Sequence, residues 1–274
     1  MRENRVAKDC RGQKGINSEM QMTYSRDFYR EENREALDAA RIIVPLVIEL
    51  INPDSVVDVG CGLGAWLSIF KNYSANTILG VDGVWVDKDK LLIPKEKFVV
   101  ADLSKPFELD RQFDLVVCLE VAEHLPCECA GTLINTLTNL GRVVLFSAAI
   151  PFQGGTHHLN EQWPDYWAKL FREKGYIVID CIRYKVWNNH GIAAFYAQNI
   201  LLYVDENYIQ SYEQLKHELN ISHTTTLSIV HPNIYMAHVF PFLYKLRIIL
   251  GKIFPRRLMN SIKKRIVPSY ISTE

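Results

Sequence analysis

The chain has 274 residues, 48% of them hydrophobic, and its 31 basic and 31 acidic side chains cancel. That length holds one large domain, or a domain with an appendage, and buries a sizeable core. Balanced charge argues against a chain built mainly to bind nucleic acid, and no apolar run approaches the ~20 residues of a membrane span. Cysteines at 10, 61, 118, 127, 129 and 181 follow no disulfide framework and read as a reduced, cytoplasmic protein.

Residues 1–23 are polar without an apolar period and are expected to be flexible. From Arg26 to Leu50, Phe28, Leu37, Ala40, Val44, Val47 and Ile48 recur at helical intervals, and Asn52-Pro53 stops the helix. Apolar runs predict strands at Ser55–Val59, Thr77–Val81, Lys97–Ala101, Phe113–Leu119, Arg142–Ser147, Tyr176–Cys181 and Asn199–Val204. Helical patterns fit Ala65–Tyr73, Cys129–Leu140 and Gln162–Lys174, the last closed by Gly175. Strand–helix alternation with strands apolar on both faces predicts an α/β fold: a doubly wound, mostly parallel seven-stranded sheet.

After Val204 the pattern weakens. The expected organisation is therefore a domain over 24–204 and a C-terminal helical appendage over 205–274. From Pro241 to Thr273 the cations Lys245, Arg247, Lys252, Arg256, Arg257, Lys263, Lys264 and Arg265 alternate with apolar residues, and no acid intervenes. Such a segment suits a helix packed on the domain or a peripheral contact with an anionic membrane surface.

Val56-Val57-Asp58-Val59-Gly60-Cys61-Gly62-Leu63-Gly64 is an apolar strand breaking at alternating glycines before a helix. Glycines there allow a sharp turn and close approach of a ligand to the backbone. Asp82 follows Gly60 at close to the roughly 20-residue spacing at which a carboxylate meets a ribose diol. A pyrophosphate calls for Gly-x-Gly-x-x-Gly, whereas here position 65 is alanine and Asp58 stands beside the loop. A carboxylate repels phosphate and suits a cationic amino-acid group. Asp102 ends the third strand, where a carboxylate can meet an adenine amino group.

With this set the chain resembles the class I S-adenosylmethionine-dependent methyltransferases over roughly residues 25–204. The resemblance implies that Gly60, Gly62 and Gly64 wrap the methionine end with Asp58 beside them. It implies that Asp82 holds the ribose hydroxyls, that Asp102 and Leu103 flank the adenine, and that Leu119 and Glu120 line the cofactor from the fourth strand. A nucleoside-binding fold that has lost its chemistry is the rival from another class.

Glu120, Glu123 and His124 end the fourth strand, and two carboxylates with an imidazole at that spacing can converge on one divalent cation. The loop Gly154-Gly155-Thr156-His157-His158-Leu159-Asn160-Glu161 leaves the fifth strand at the same sheet edge. Glu-x-x-Glu-His with a later His-x-x-Glu is similar to the pattern of small-RNA 3′-terminal 2′-O-methyltransferases. That resemblance implies Mg²⁺ or Mn²⁺ held by Glu120, Glu123, His124 and His158, acting as a Lewis acid on a hydroxyl. Without a metal, His157 or His158 can serve as a general base, and a packing role for the histidines is the bland alternative.

The string Ile150 to Trp167, with Tyr196-Ala197-Gln198-Asn199, resembles a bacterial methyltransferase group associated with glycan and secondary-metabolite biosynthesis. It implies a small-molecule or glycan acceptor, with hydroxyl methylation of a sugar or polyol foremost. The alternatives are metal-independent O- or N-methylation of a small natural product and methylation of an RNA 3′ end. No basic, aromatic-rich patch lies near the predicted site, which argues against nucleic acid. Trp163, Tyr166 and Trp167 suit either a ring-binding platform or, at helical spacing, the core. Cys127 and Cys129 lack the second pair of a zinc site.

Overall fold

A computed structural model describes residues 26–73, 75–221 and 226–239. The expected flexible segment 1–23 and basic segment 241–273 lie outside the described residues.

The opening helix α1 (Arg26–Ile51) turns one apolar stripe inward, burying Ala40, Ile43, Val44 and Val47. Asn52 ends it with φ +40°, its N–H donating to the Ile48 carbonyl (2.9 Å) before Pro53. Helix α1 packs on α2 (Ala65–Tyr73).

Strands β1 (Ser55–Val59), β2 (Thr77–Asp82), β3 (Phe98–Val100), β4 (Leu115–Leu119), β5 (Val143–Ser147), β6 (Tyr176–Ile179) and β7 (Leu201–Asp205) form one sheet, ordered β3-β2-β1-β4-β5-β7-β6. Only β7 runs antiparallel to its neighbours. Side chains alternate between two apolar layers. Leu115, Val117 and Leu119 of β4 face the layer of α1 and α2. Val116 and Cys118 face that of α3 (Ala130–Leu140) and α4 (Pro164–Arg172). In the second layer Phe171 stacks on Tyr203 at 3.9 Å, and Trp167 packs on Phe146.

All seven expected strands are present: β1 has the expected bounds, β2 runs on to Asp82, β7 is shifted to Leu201–Asp205, and the other four are shorter than expected. Strand β3, expected from Lys97, sits at the sheet edge and spans Phe98–Val100. Helix α4 begins at Pro164 rather than Gln162, since proline suits a first helical turn, and Gly175 (φ +79°) follows its end. One difference matters for the site. Asn199, expected to open the last strand, is the final residue of α6 (Ala194–Asn199), and β7 starts only at Leu201.

The compact unit continues past Val204 to Ile229. Helix α7 (Glu213–Ile221) buries Leu215, and its Glu218 accepts from Lys185 (2.7 Å) and Tyr184 (3.1 Å). Those partners lie in α5 (Arg183–Val186). In the second unit, Val230–Glu274, the described helix is α8 (Pro232–Val239). No described helix is long and apolar enough to cross a membrane.

Buried Arg183 ties the last helices together. Its Nε and Nη2 donate to Asp180 (3.0 and 2.6 Å), and Nη1 donates to the carbonyls of Gln198 (3.2 Å) and Leu227 (2.8 Å). Arg183→Leu removes one partner of a buried pair and should lower the unfolding free energy by about 3 kcal/mol. Urea titration followed by circular dichroism checks this; a loss below about 1 kcal/mol would place the guanidinium in the class of weak surface pairs.

Candidate active site

The sheet order reverses between β1 and β4, which opens a crevice at the carboxyl ends of those strands. A cavity of about 540 Å³ lies there. Gly60, Cys61 and Gly62 form its floor, because β1 must turn sharply into α2. Gly60 has φ +84°, and a Cβ on it would stand 2.3 Å from the Val121 side chain. Gly62 (φ +51°) has open space above it. Asp82 braces the loop: Oδ2 accepts from the Gly62 N–H (2.7 Å) and Oδ1 from the Gly83 N–H (2.6 Å).

Asp58, Gly60, Gly62, Asp82, Leu103, Leu119 and Glu120 all line this cavity. Buried Asp58 Oδ2 accepts no hydrogen bond from any described residue. Burial, then the neighbouring Asp82, pushes the Asp58 carboxyl well above the usual range. A buried carboxyl with an unpartnered oxygen fits a cationic group in the cavity, whose charge would favour the ionised form.

Three expected residues are not brought there. Asp102 lies on an exposed turn, its carboxylate engaged by the Ser104 N–H and hydroxyl (3.1 and 2.6 Å) and by Lys105 (2.8 Å). It does not line the cavity, because β3 ends before the carboxylate can turn inward. His157 (φ +59°) is exposed and also outside the lining, since the loop turns its neighbour His158 inward instead. Gly64 packs under Ile93 rather than against the cavity.

The end of β4 carries further titratable groups of the cavity. Glu120 adopts φ +54°, a sparsely populated conformation for a side-chain-bearing residue, and its N–H donates to Ser147 O (3.0 Å) and Oγ (3.1 Å). The next turn buries Glu123 completely. Its Oε1 accepts from the Ala149 N–H (3.1 Å), and its carbonyl accepts from the N–H groups of Leu159 (2.7 Å) and Asn160 (3.0 Å). Those bonds draw the loop after β5 over the β4 turn. The rings of His124 and His158 then meet edge to face at 4.9 Å.

Donor atoms of Glu123, His124 and His158 lie within 4.8 Å of one another. Glu123 Oε2 and His124 Nδ1 are buried with no described partner. His158 Nδ1 lies 2.9 Å from Glu161 Oε1, while Glu161 Oε2 accepts from the Phe152 N–H (2.7 Å). With Nδ1–H donating to the carboxylate, Nε2 keeps its lone pair for the cluster. Burial, then Glu120, pushes Glu123 up; burial, then the charge on His158, pushes His124 down to about 4. Two vacant donors and a carboxylate-oriented imidazole fit a divalent cation, whose charge would bring the Glu123 carboxyl back down and push His124 further down, keeping that imidazole neutral.

Glu120, the fourth expected ligand, is not part of this cluster. Both its oxygens accept from Asn199 Nδ2 (3.1 and 3.4 Å), and Oε2 also accepts from Gln153 Nε2 (3.2 Å). Sequence reasoning gave Gln153 and Asn199 no role, because their meeting with Glu120 depends on the crossing of distant segments. It also missed Trp85, which lines the cavity and hydrogen-bonds Asp82. Trp167 belongs to the core, and Trp163 is 40% exposed before α4, so no platform forms. Cys127 and Cys129 join no metal-capable cluster among the described residues.

Residues 29–195 match a family described as a methyltransferase domain. The chain belongs to that family. It is an S-adenosylmethionine-dependent methyltransferase, with the Rossmann-like sheet of the class I fold. Among solved structures, the methyltransferase is similar to an O-methyltransferase family protein from Burkholderia thailandensis (15% identity, TM-score 0.49, 65% of this chain and 59% of that one). It is similar to magnesium protoporphyrin IX methyltransferase from Synechocystis PCC 6803 with bound S-adenosylmethionine (20% identity, TM-score 0.46, 71% and 87%). A third likeness is to the methyltransferase domain of bacterial-CtHen1-C (20% identity, TM-score 0.47, 62% and 98%). The chain thus spans 59% of the length of the first. No curated protein matches.

The open space above Gly62 separates folding from cofactor binding. Gly62→Ala should cost the fold only the ~1–2 kcal/mol of a left-handed residue, while its methyl group fills space that the cofactor needs. Calorimetry with S-adenosylhomocysteine should show affinity reduced by about tenfold or more, equivalent to ~1.4 kcal/mol. Unchanged affinity would move the cofactor away from this loop.

Proposed function

We propose that this methyltransferase methylates a hydroxyl of a sugar or polyol-type acceptor, using a divalent cation held by Glu123, His124 and His158. The observation that carries the reading is the convergence of those three donors in the same cavity as the glycine loop. When bound, S-adenosylmethionine supplies a methyl group on a cationic sulfonium, and the cation supplies Lewis acidity that lowers the pKa of a coordinated hydroxyl. Asp58 offers its free oxygen to the cofactor's ammonium group, Asp82 accepts from the ribose hydroxyls, and Leu103 and Leu119 flank the cofactor. His158 is fixed by Glu161, and Glu120 faces the acceptor. Two imidazole nitrogens in the donor set favour Mn²⁺ over Mg²⁺.

An acceptor without phosphate suits the cavity. Its lining includes Glu35, Asp58, Asp82, Glu120 and Glu123, with no lysine or arginine among the described residues. Phosphate-bearing acceptors such as RNA require cations to neutralise the backbone. A second reading rests on the His158–Glu161 pair: an imidazole oriented by a carboxylate can take the hydroxyl proton without a metal.

Methyl transfer from labelled S-adenosylmethionine onto a panel of sugars, polyols and short RNAs, with and without EDTA, tests both. Activity should fall with EDTA, return with Mn²⁺, and appear on unphosphorylated acceptors. Glu161→Gln should lower Mn²⁺ affinity by about 10–100-fold. Full activity in EDTA, lost in His158→Ala, would replace the cation with histidine base catalysis.

A further inference from the structure

Glu120 stands beside Glu123, yet a network of side-chain amides holds it there. Asn199 is 3% exposed and Gln198 is fully buried. Asn199 Nδ2 donates to both Glu120 oxygens and to Gln153 Oε1 (2.9 Å), and Gln153 Nε2 donates to Glu120 Oε2 (3.2 Å). Gln198 Nε2 closes the ring, donating to Asn199 Oδ1 (2.8 Å) and Gln153 Oε1 (3.2 Å). The acceptor-only carboxylate fixes the orientation of these amides, because only their nitrogens can face it. With the Ser147 hydroxyl, which also bonds this carboxylate, the roughly four lone-pair positions on Glu120 are thereby taken.

Moving Glu120 into the Glu123–His124–His158 cluster would strand the amide donors of Asn199 and Gln153 in a buried place. We propose that Asn199 and Gln153 are positioning residues that clamp Glu120 outside the cation's ligand set, so that a coordination position stays open for the acceptor oxygen. The clamp also joins two otherwise separate elements: Gln153 lies on the loop that carries His158, and Asn199 ends α6. Its outer anchor is Arg183, which bonds the Gln198 carbonyl (3.2 Å). The inference rests on the cation reading above, and its test separates the two.

Mn²⁺ binding to the full chain, followed by electron paramagnetic resonance and water-proton relaxation with S-adenosylhomocysteine present, reads the clamp without an acceptor. Glu123→Gln should weaken Mn²⁺ binding by about 100-fold or more, whereas Glu120→Gln should change it by less than about threefold. Asn199→Ala frees Glu120 to reach the ion, so the relaxivity of bound Mn²⁺ should drop by the share of about one water. Gln153→Ala, which opens the clamp from the loop side, should reproduce that drop. Adding Glu120→Gln to Asn199→Ala should restore the wild-type relaxivity, an outcome that a merely structural asparagine does not give. Retained S-adenosylhomocysteine affinity reports that each variant is folded. If Glu120→Gln weakens Mn²⁺ as much as Glu123→Gln, or if relaxivity is the same in folded Asn199→Ala and wild type, Glu120 is a ligand and the clamp is overturned. If wild type binds no Mn²⁺, the cation reading itself falls and takes the clamp with it.

Discussion

Complete burial of the Glu123 carboxylate is the constraint on which the rest of the site depends. A buried acid is stable only when its polar atoms are matched. The chain matches part of it: the Ala149 N–H holds one oxygen, and the backbone carbonyl of the same residue takes the N–H groups of Leu159 and Asn160. These bonds fold the loop after β5 onto the turn after β4 and so deliver His158 to His124. The second oxygen is left bare, as is Nδ1 of His124. The cation proposed for this place would match both.

Topology explains why that place adjoins the cofactor cleft. With β1 and β4 adjacent at the point where the strand order reverses, the Gly60 turn and the Glu120 turn share one rim. Val121 packs where a side chain on Gly60 would have to be, so the two turns are fitted to each other. Methyl transfer needs donor and acceptor aligned at short range, and a shared rim would provide that proximity. The strained backbone of Glu120 sits at the junction, where such strain commonly marks function.

Much of this was legible in the sequence, for identifiable reasons. Strands buried on both faces write themselves as apolar runs, and the Gly60–Gly64 loop shows because the turn admits little else. His158 could be preferred to His157 from its spacing to Glu161, and the structure forms that pair. What stayed hidden depends on distant segments crossing. Asn199 reads as the start of an apolar strand because Ile200 and Leu201 follow it, although a helix ends there. Glu120 reads as a ligand from local spacing, while the amides that hold it come from the loop after β5 and from α6. Asp102 fits a cofactor pattern by position, but Ser104 and Lys105 capture it locally. Residues 205–229 join the main unit through few anchors, Leu215 and Glu218 among them, too sparse to form a pattern.

The central claim is that Glu123, His124 and His158 surround a cation beside the cofactor. Diffraction from crystals grown with Mn²⁺ and S-adenosylhomocysteine, recorded at the manganese absorption edge, tests it most directly. The account predicts one strong anomalous peak in contact with Glu123 Oε2, His124 Nδ1 and His158 Nε2, with Glu120 still held by Asn199. Absence of a peak there, with the cofactor bound on the Gly60–Gly64 loop, would contradict it.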